Sequence, residues 1–361
     1  MTPTHPGRVS ILTAPSRALA DAIAEFGEPR GYVATASIGI PPRRTVDALR
    51  ADLDAWARAD RDPQGYDSVA ERTRASYARL VCVDASRVAI GSQTSVLASL
   101  VAASVPEGAE VLVAERDFSS LVMPFTQTPG ARVRSAPIER LADAVTADTF
   151  LVVFSLVQSA TGYVADAAAI REAAGRHGAL TLCDTTQAAG VLPVDASDFD
   201  LTICHAYKWL CSPRGVAFLT VGPKADAVLH PRQSGWYAGD DVWRSCYGTD
   251  ITLARDARRF DVSPAWQAWI GAEQSIGLFA GLDIAEVWDR SASLGELLCH
   301  ELDLPPQRQA IVSWPDPDGS QLARMTAAGI RISGRAGRAR ASFHLWNTED
   351  DVAEIVAALR G

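Results

Sequence analysis

The chain has 361 residues, of which 48% are hydrophobic and 21% charged, and its formal net charge is −9. That length exceeds what one compact core needs and fits a large domain with a smaller one. The acidic balance, without a basic stripe or zinc-finger spacing, argues against a nucleic-acid partner, and no run of about 18 apolar residues offers a membrane span. The opening stretch MTPTHPGRVSILTAPSRALADAI lacks the charged-then-apolar layout of a secretory leader. After Pro41-Pro42, residues 45–59 read as an amphipathic helix. RVAIGSQTSVLASLVAA (87–103) places Gly-Ser-Gln-Thr-Ser before an apolar helix. Unbroken apolar runs at 109–115, 149–157, 179–184, 200–205 and 215–222 read as strands buried on both faces. Between two of them, the Ala-rich stretch 164–178 reads as a helix stopped at Gly178. Strand, helix, strand repetition implies an α/β fold with a mostly parallel central sheet flanked by helices. From Val262 the chain turns helical, GIRIS and RARASFHLW follow as strand candidates, and a last helix starts at Glu349. The expected division is a large domain over 24–260 and a smaller α+β domain from 1–23 with 261–361.

Six cysteines (82, 183, 204, 211, 246 and 299) show no CxxC spacing, and several sit inside apolar runs. They read as small hydrophobes in a reducing cytosol, without a disulfide framework. The six histidines show no HExxH or paired spacing, so no metal site is expected.

In an open α/β sheet, ligands bind beyond the carboxyl ends of the strands. The polar residues at those ends are therefore the candidates. Gln93 and Thr94 precede the apolar helix, where backbone N–H groups and the dipole favour an anion. Phe118 follows EVLVAERD and Ser159 follows LVVFSLVQ. Asp184 ends ALTLCD, with Gln187 three residues on, and His205, Tyr207 and Lys208 follow DLTIC. All but two of the 34 Lys and Arg residues are arginine, and the other lysine, Lys224, follows Gly222-Pro223 and reads as a loop residue. A phosphate seat, a strand-end aspartate and a strand-end lysine in this order fit pyridoxal phosphate. That cofactor needs an amine for a Schiff base and a carboxylate to keep its ring nitrogen protonated. Each feature alone has an ordinary explanation in capping, core packing or snorkelling; the ordered set is what is specific.

AYKWLCSPRG, RRFDVSPAW, SGWYAG and RASFHLWNTEDDV carry a resemblance. Over nearly its whole length the chain resembles the class V aminotransferase group of fold-type I pyridoxal-phosphate enzymes. It looks nearer to the kynureninase, isopenicillin N epimerase and ergothioneine-pathway C–S lyase branch than to the desulfurases. The resemblance implies that Lys208 bonds the cofactor and moves the α-proton. It likewise implies that Asp184 pairs with the ring nitrogen, Gln187 meets the ring hydroxyl, and Phe118 stacks on the ring. Gln93, Thr94, Tyr207 and His205 would hold the phosphate. Trp236 and Ser263 match a phosphate-side region to which a homodimer partner contributes, and Arg340 matches a substrate-carboxylate clamp, with Ser37 in a loop near substrate. The chain departs from the pattern at Ser159, where desulfurases often have Asn, and at Val262-Ser-Pro264, where many relatives have Gly-Thr-Pro.

Desulfurases of this group carry a cysteine shortly before the carboxylate-binding arginine, and residues 316–340 contain none. That absence argues against a desulfurase, and because the nearest-looking relatives cleave C–S bonds of cysteine conjugates, the resemblance implies β-elimination at the C–S bond of an S-substituted L-cysteine, giving thiol, pyruvate and ammonia in small-molecule biosynthesis. Transamination, epimerisation, kynurenine-type cleavage and decarboxylating deamination are the alternatives, and a non-catalytic scaffold on an old enzyme fold is the contrasting class. Loops 34–39 and 235–248, with their aromatic and Asp content, would suit a bulky polar substituent on sulfur.

Overall fold

The computed structural model describes residues 11–360. Part of the stretch used for the leader expectation, residues 1–10, lies outside the described residues. The chain forms two compact units.

The larger unit comprises Ile38–Ser159 and Tyr163–Gly281. Its sheet contains β1 (Val88–Gly91), β2 (Glu110–Ala114), β3 (Arg132–Ala136), β4 (Thr149–Ser155), β5 (Leu180–Asp184), β6 (Leu201–His205) and β7 (Ala217–Val221). The spatial order is β1-β7-β6-β5-β4-β2-β3. Pairings among β2 to β6 are parallel, whereas β7 runs antiparallel to both β6 and β1. The physical reason lies in the connection 206–216, which is shorter than the dozen or more residues that a parallel crossover requires. β2, β5, β6 and β7 are buried along their whole length, as unbroken apolar runs demand. β3 lacks such a run because it is the sheet's half-exposed edge, with Arg132 and Arg134 in it.

Helix Ala167–His177 starts at Asp166, whose side chain accepts the Ala169 N–H, and stops at Gly178 in the left-handed region (φ 72°). Leu97, Val113, Phe125, Val153, Leu182, Ile203 and Leu219 share one core between sheet and helices. Helix Trp266–Phe279 packs against helices Arg43–Ala57 and Pro63–Leu80. The Thr45 hydroxyl donates to the Gly271 carbonyl (3.2 Å), and Tyr66 stacks on Trp266 at 5.2 Å.

The smaller unit comprises the described part of Met1–Ser37, Ala160–Gly162 and Leu282–Gly361. Strands β8 (Ile311–Pro315), β9 (Ser333–Arg335) and β10 (Arg338–Ser342) form an antiparallel sheet in the order β8-β10-β9. Helices Ile284–Glu301, Ser320–Ala327 and Glu349–Arg360 supply Leu298, Met325 and Ile355 to a core with Val33 and Phe343. Val33 donates to the Arg331 carbonyl (2.9 Å) and its own carbonyl accepts the Ser342 N–H (2.8 Å).

The expected borders therefore move. Residues 24–37 fold with the smaller unit rather than the larger, because Val33 is bonded and buried there. Residues 261–281 fold with the larger one, because their helix packs on its helices. Among the described residues, no helix is long and apolar enough to cross a membrane.

Candidate active site

The carboxyl ends of the strands bring the polar candidates of the larger unit together. Asp184 ends β5, flanked by Ser155 of β4 and Ile203 of β6. Gly91 of β1 and His205 of β6 both register with Ala217 of β7, so β1 ends at the same edge as β6. The two rows are about 10 Å apart, two strand spacings. Gln93 and Thr94 follow at once: Gln93 occupies the N-cap of helix Thr94–Ala102 without a side-chain cap bond, and Thr94 is buried.

Asp184 is only 3% exposed. Burial pushes its carboxyl up to about 6, while hydrogen bonds from Thr186 and the charge of Lys208 pull the other way. The Thr186 N–H donates to Oδ1 (2.8 Å), and the Thr186 hydroxyl accepts the His205 N–H (3.0 Å), tying β5 to β6.

Lys208 lies in the short β6–β7 connection and is 5% exposed. Its Nζ stands 5.4 Å from the Phe118 ring centroid and 5.6 Å from that of Tyr207. Both distances are within cation–π range. The Cys211 N–H donates to the Lys208 carbonyl (3.1 Å), and the Gly39 N–H donates to the Tyr207 carbonyl (2.9 Å). His205 packs edge-on against Tyr207 (4.4 Å), over whose ring the Arg214 guanidinium sits at 4.7 Å. Burial first, then the charges of Arg214 and Lys208, lowers His205 to about 4, so the imidazole is neutral near pH 7. Its Nε2 is buried without a hydrogen-bond partner among the described residues. Gln187 accepts the Trp209 indole N–H (2.8 Å) at Oε1, so the donors of that amide lie at its other end.

The remaining candidates lie on other segments. Ser159 is half-buried beyond β4. Trp236 packs against Tyr237 and Trp243, in the aromatic loop 235–248. Ser263 is exposed and follows Asp261, which accepts the Ile90 N–H (2.8 Å) and pairs with Arg74 (2.6 Å). In the smaller unit, Arg340 is 1% exposed on β10. It donates from Nε to Ser333 Oγ (3.1 Å) and from Nη2 to Ser37 Oγ (2.8 Å). Two residues expected to meet substrate are thus in contact.

Sequence reasoning missed several residues that position this site. Thr186 and Trp209 sit beside recognised candidates, but their bonds depend on strand pairing and on a turn. Asp117 and Ser155 meet only across strands. Gly39 carried a signal, a glycine before Ile40-Pro41-Pro42, without an obvious partner. A Cβ there would overlap the Lys208 carbonyl oxygen and press on the Cys211 backbone. Gly39→Ala is therefore expected to displace Lys208 and cut turnover on the order of a hundredfold, the cost of misplacing a reacting group by about 1 Å. Gly277→Ala, where a Cβ meets nothing within 4 Å, is the control. Turnover and far-ultraviolet circular dichroism of both variants check this; equal activity would show that the loop yields freely.

Residues 66–333 match the family model for aminotransferase class-V. The chain belongs to the class V aminotransferase family. Among curated class V relatives, an uncharacterised aminotransferase of Bacillus subtilis is 29% identical over 213 residues, a match spanning 58% of this chain and 54% of that protein. Isopenicillin N epimerase of Streptomyces clavuligerus is 27% identical, with 80% of this chain and 83% of the relative covered. Kynureninase of Deinococcus radiodurans is 28% identical, with 86% and 85% covered. Solved structures share the fold at lower identity. A cysteine desulfurase from Escherichia coli superposes with TM-score 0.80 at 20% identity, covering 95% of this chain and 97% of that one. A C–S lyase variant with glycine covalently linked to its pyridoxal-phosphate cofactor superposes with TM-score 0.84 at 19% identity, covering 96% and 99%.

Pyridoxal phosphate is the cofactor of this class V enzyme, and the donor set fits it. A buried carboxylate suits a ring nitrogen, a buried amine an aldehyde, and a neutral imidazole with an Nε2 unpartnered among the described residues, together with a helix start without a side-chain cap, a phosphate.

Proposed function

We propose that the chain is a β-lyase that cleaves the C–S bond of an S-substituted L-cysteine in small-molecule biosynthesis. The observation that carries the reading is the state of the cysteines. No cysteine lies in residues 316–340, before Arg340. Burial pushes the thiol of Cys204 up to about 12 and those of Cys183 and Cys211 well above the ordinary range. A protonated thiol is a poor sulfur acceptor, since the thiolate is the nucleophile. Cys82 is exposed but precedes β1, at the edge of the sheet opposite the site. A desulfurase that carries persulfide on itself is disfavoured, whereas elimination needs a base, an electron sink and a carboxylate clamp.

Bound pyridoxal phosphate would supply a carbonyl for the substrate amine and a protonated ring as a sink for the electron pair of the broken Cα–H bond. Lys208 Nζ takes the Cα proton. The Cβ–S bond then breaks with its electron pair on sulfur, and Lys208 returns the proton to the leaving thiolate. The three-carbon enamine product takes up water to give pyruvate and ammonia. Asp184 holds the ring nitrogen protonated, the Gln187 amide donates to the ring oxygen, and Phe118 covers the ring. Gln93, Thr94, His205 and Tyr207 take the phosphate, with Ser159 beside the ring. Trp236 and Ser263 serve the phosphate side in a cytoplasmic homodimer. Arg340, oriented by Ser37, takes the substrate α-carboxylate, a task that suits a planar guanidinium fork.

The test supplies S-substituted cysteines and measures pyruvate, free thiol and carbon dioxide, with and without a keto acid. Pyruvate and thiol in equal amounts without keto acid are expected. Turnover that strictly requires the keto acid and never yields pyruvate would establish an aminotransferase instead, the reading that the Bacillus subtilis relative's name favours. Replacing Cys82 and Cys246 with Ser together leaves pyruvate formation unchanged; a loss of more than about tenfold would point to a thiol intermediate.

A further inference from the structure

We propose that Asp117 is a positioning residue, whose carboxylate latches the turn carrying Phe118 onto the end of β4 and so holds the Phe118 ring in register with Lys208. This rests on the reading of the site as a pyridoxal-phosphate site in which Phe118 covers the ring. After β2 ends at Ala114, the chain reverses through Arg116 at φ 55° and enters helix Ser119–Thr126 with Phe118 at its N-cap. Phe118 is 41% exposed, so core packing alone does not fix its ring. Asp117 does what packing leaves undone. Its Oδ2 accepts the Ser155 N–H (2.7 Å), and its Oδ1 accepts both the Ser155 hydroxyl (2.6 Å) and the Phe118 N–H (2.7 Å).

Ser155 is the last residue of β4 and registers with Asp184. One carboxylate therefore joins the Phe118 turn to the strand that flanks Asp184. Charge-assisted bonds of this kind are the stronger ones, and three to one carboxylate leave the turn little freedom. The Asp117 charge also raises the Asp184 carboxyl. It thus adds negative potential where a protonated ring nitrogen would sit.

The test is a double-mutant cycle on the cofactor-loaded protein, read by the visible circular dichroism of bound pyridoxal phosphate and by its dissociation constant. Asp117→Ala is expected to flatten the dichroism and weaken binding about tenfold, the upper range of one aromatic contact. In a Phe118→Ala background the same change is expected to add less than about twofold, because coupled residues are not additive. Asp117→Asn, whose single amide oxygen can accept only one of the two N–H groups while its NH2 faces the other, restores part of the signal. Ser155→Ala, which keeps the backbone donor, gives an intermediate loss should Asp117→Ala fold poorly. Equal effects of Asp117→Ala with and without Phe118 overturn the proposal, as does an unchanged dichroism. If Phe118→Ala alone changes nothing, the reading of Phe118 fails as well. If no variant, nor the wild type, binds added cofactor, the site reading itself is wrong.

Discussion

Lys208→Ala is expected to abolish turnover, by at least about 10⁴-fold, the upper range for loss of a general base. The purified variant is also expected to lose the visible absorbance of lysine-linked cofactor. Both losses follow from one amine. Lys208 is buried, with Nζ 5.4 Å from the Phe118 ring centroid and 5.6 Å from that of Tyr207, and the same nitrogen is asked to bond the cofactor and to move the proton. Lys208→Arg does not rescue it, because a guanidinium stays protonated and forms no such bond. Lys224→Ala is the control: it lies in the four-residue helix Pro223–Asp226 and is exposed. The measurements are the visible spectrum, cofactor content and pyruvate formation. A Lys208→Ala protein that retains lysine-linked absorbance would move the covalent site elsewhere, Lys224 being the only other lysine.

Asp184→Asn separates function from stability, because the same burial acts on both. Losing the charge that holds the ring nitrogen protonated is expected to lower turnover by roughly 10²–10³-fold, as for a preorganised electrostatic partner. The cofactor-free protein should respond in the opposite sense. The Asp184 carboxyl is raised from 3.8 to about 6 in the folded chain, chiefly by burial. Its contribution to folding is therefore fully present below the unfolded value and lost as pH rises through about 6. The full penalty is about 3 kcal/mol, from about 1.4 kcal/mol per unit. Asparagine carries no charge to bury and can still accept the Thr186 N–H. Cofactor-free Asp184→Asn should thus unfold at a higher temperature than wild type above pH 7, with the two converging toward pH 4. Thermal unfolding across that range, with and without pyridoxal phosphate, checks the sign. Parallel curves at every pH would show that Asp184 is paired in the free protein and does not carry this penalty.

The residues proposed for the chemistry were legible because the proposed chemistry restricts them. The role proposed for Lys208 admits only an amine, and Asp184, which alone could be a capping residue, gained meaning from its place in an ordered set. The apolar runs were legible because a strand covered on both faces must be apolar throughout. β3 was not, since an edge strand carrying Arg132 and Arg134 has no such constraint. The domain borders were misplaced for a related reason. Residues 24–37 contain little regular structure, and their allegiance is set by where Val33 is buried and bonded. Sequence by itself therefore determined the fold class, the cofactor and the chain order of the residues proposed for its site. Only the tertiary structure decided what holds them: the antiparallel turn into β7, the Asp117 latch on Ser155, the Trp209 bond to Gln187 and the close approach of Gly39 to Lys208. Those contacts join segments far apart in the chain through hydrogen bonds and van der Waals distances, which local pattern does not encode.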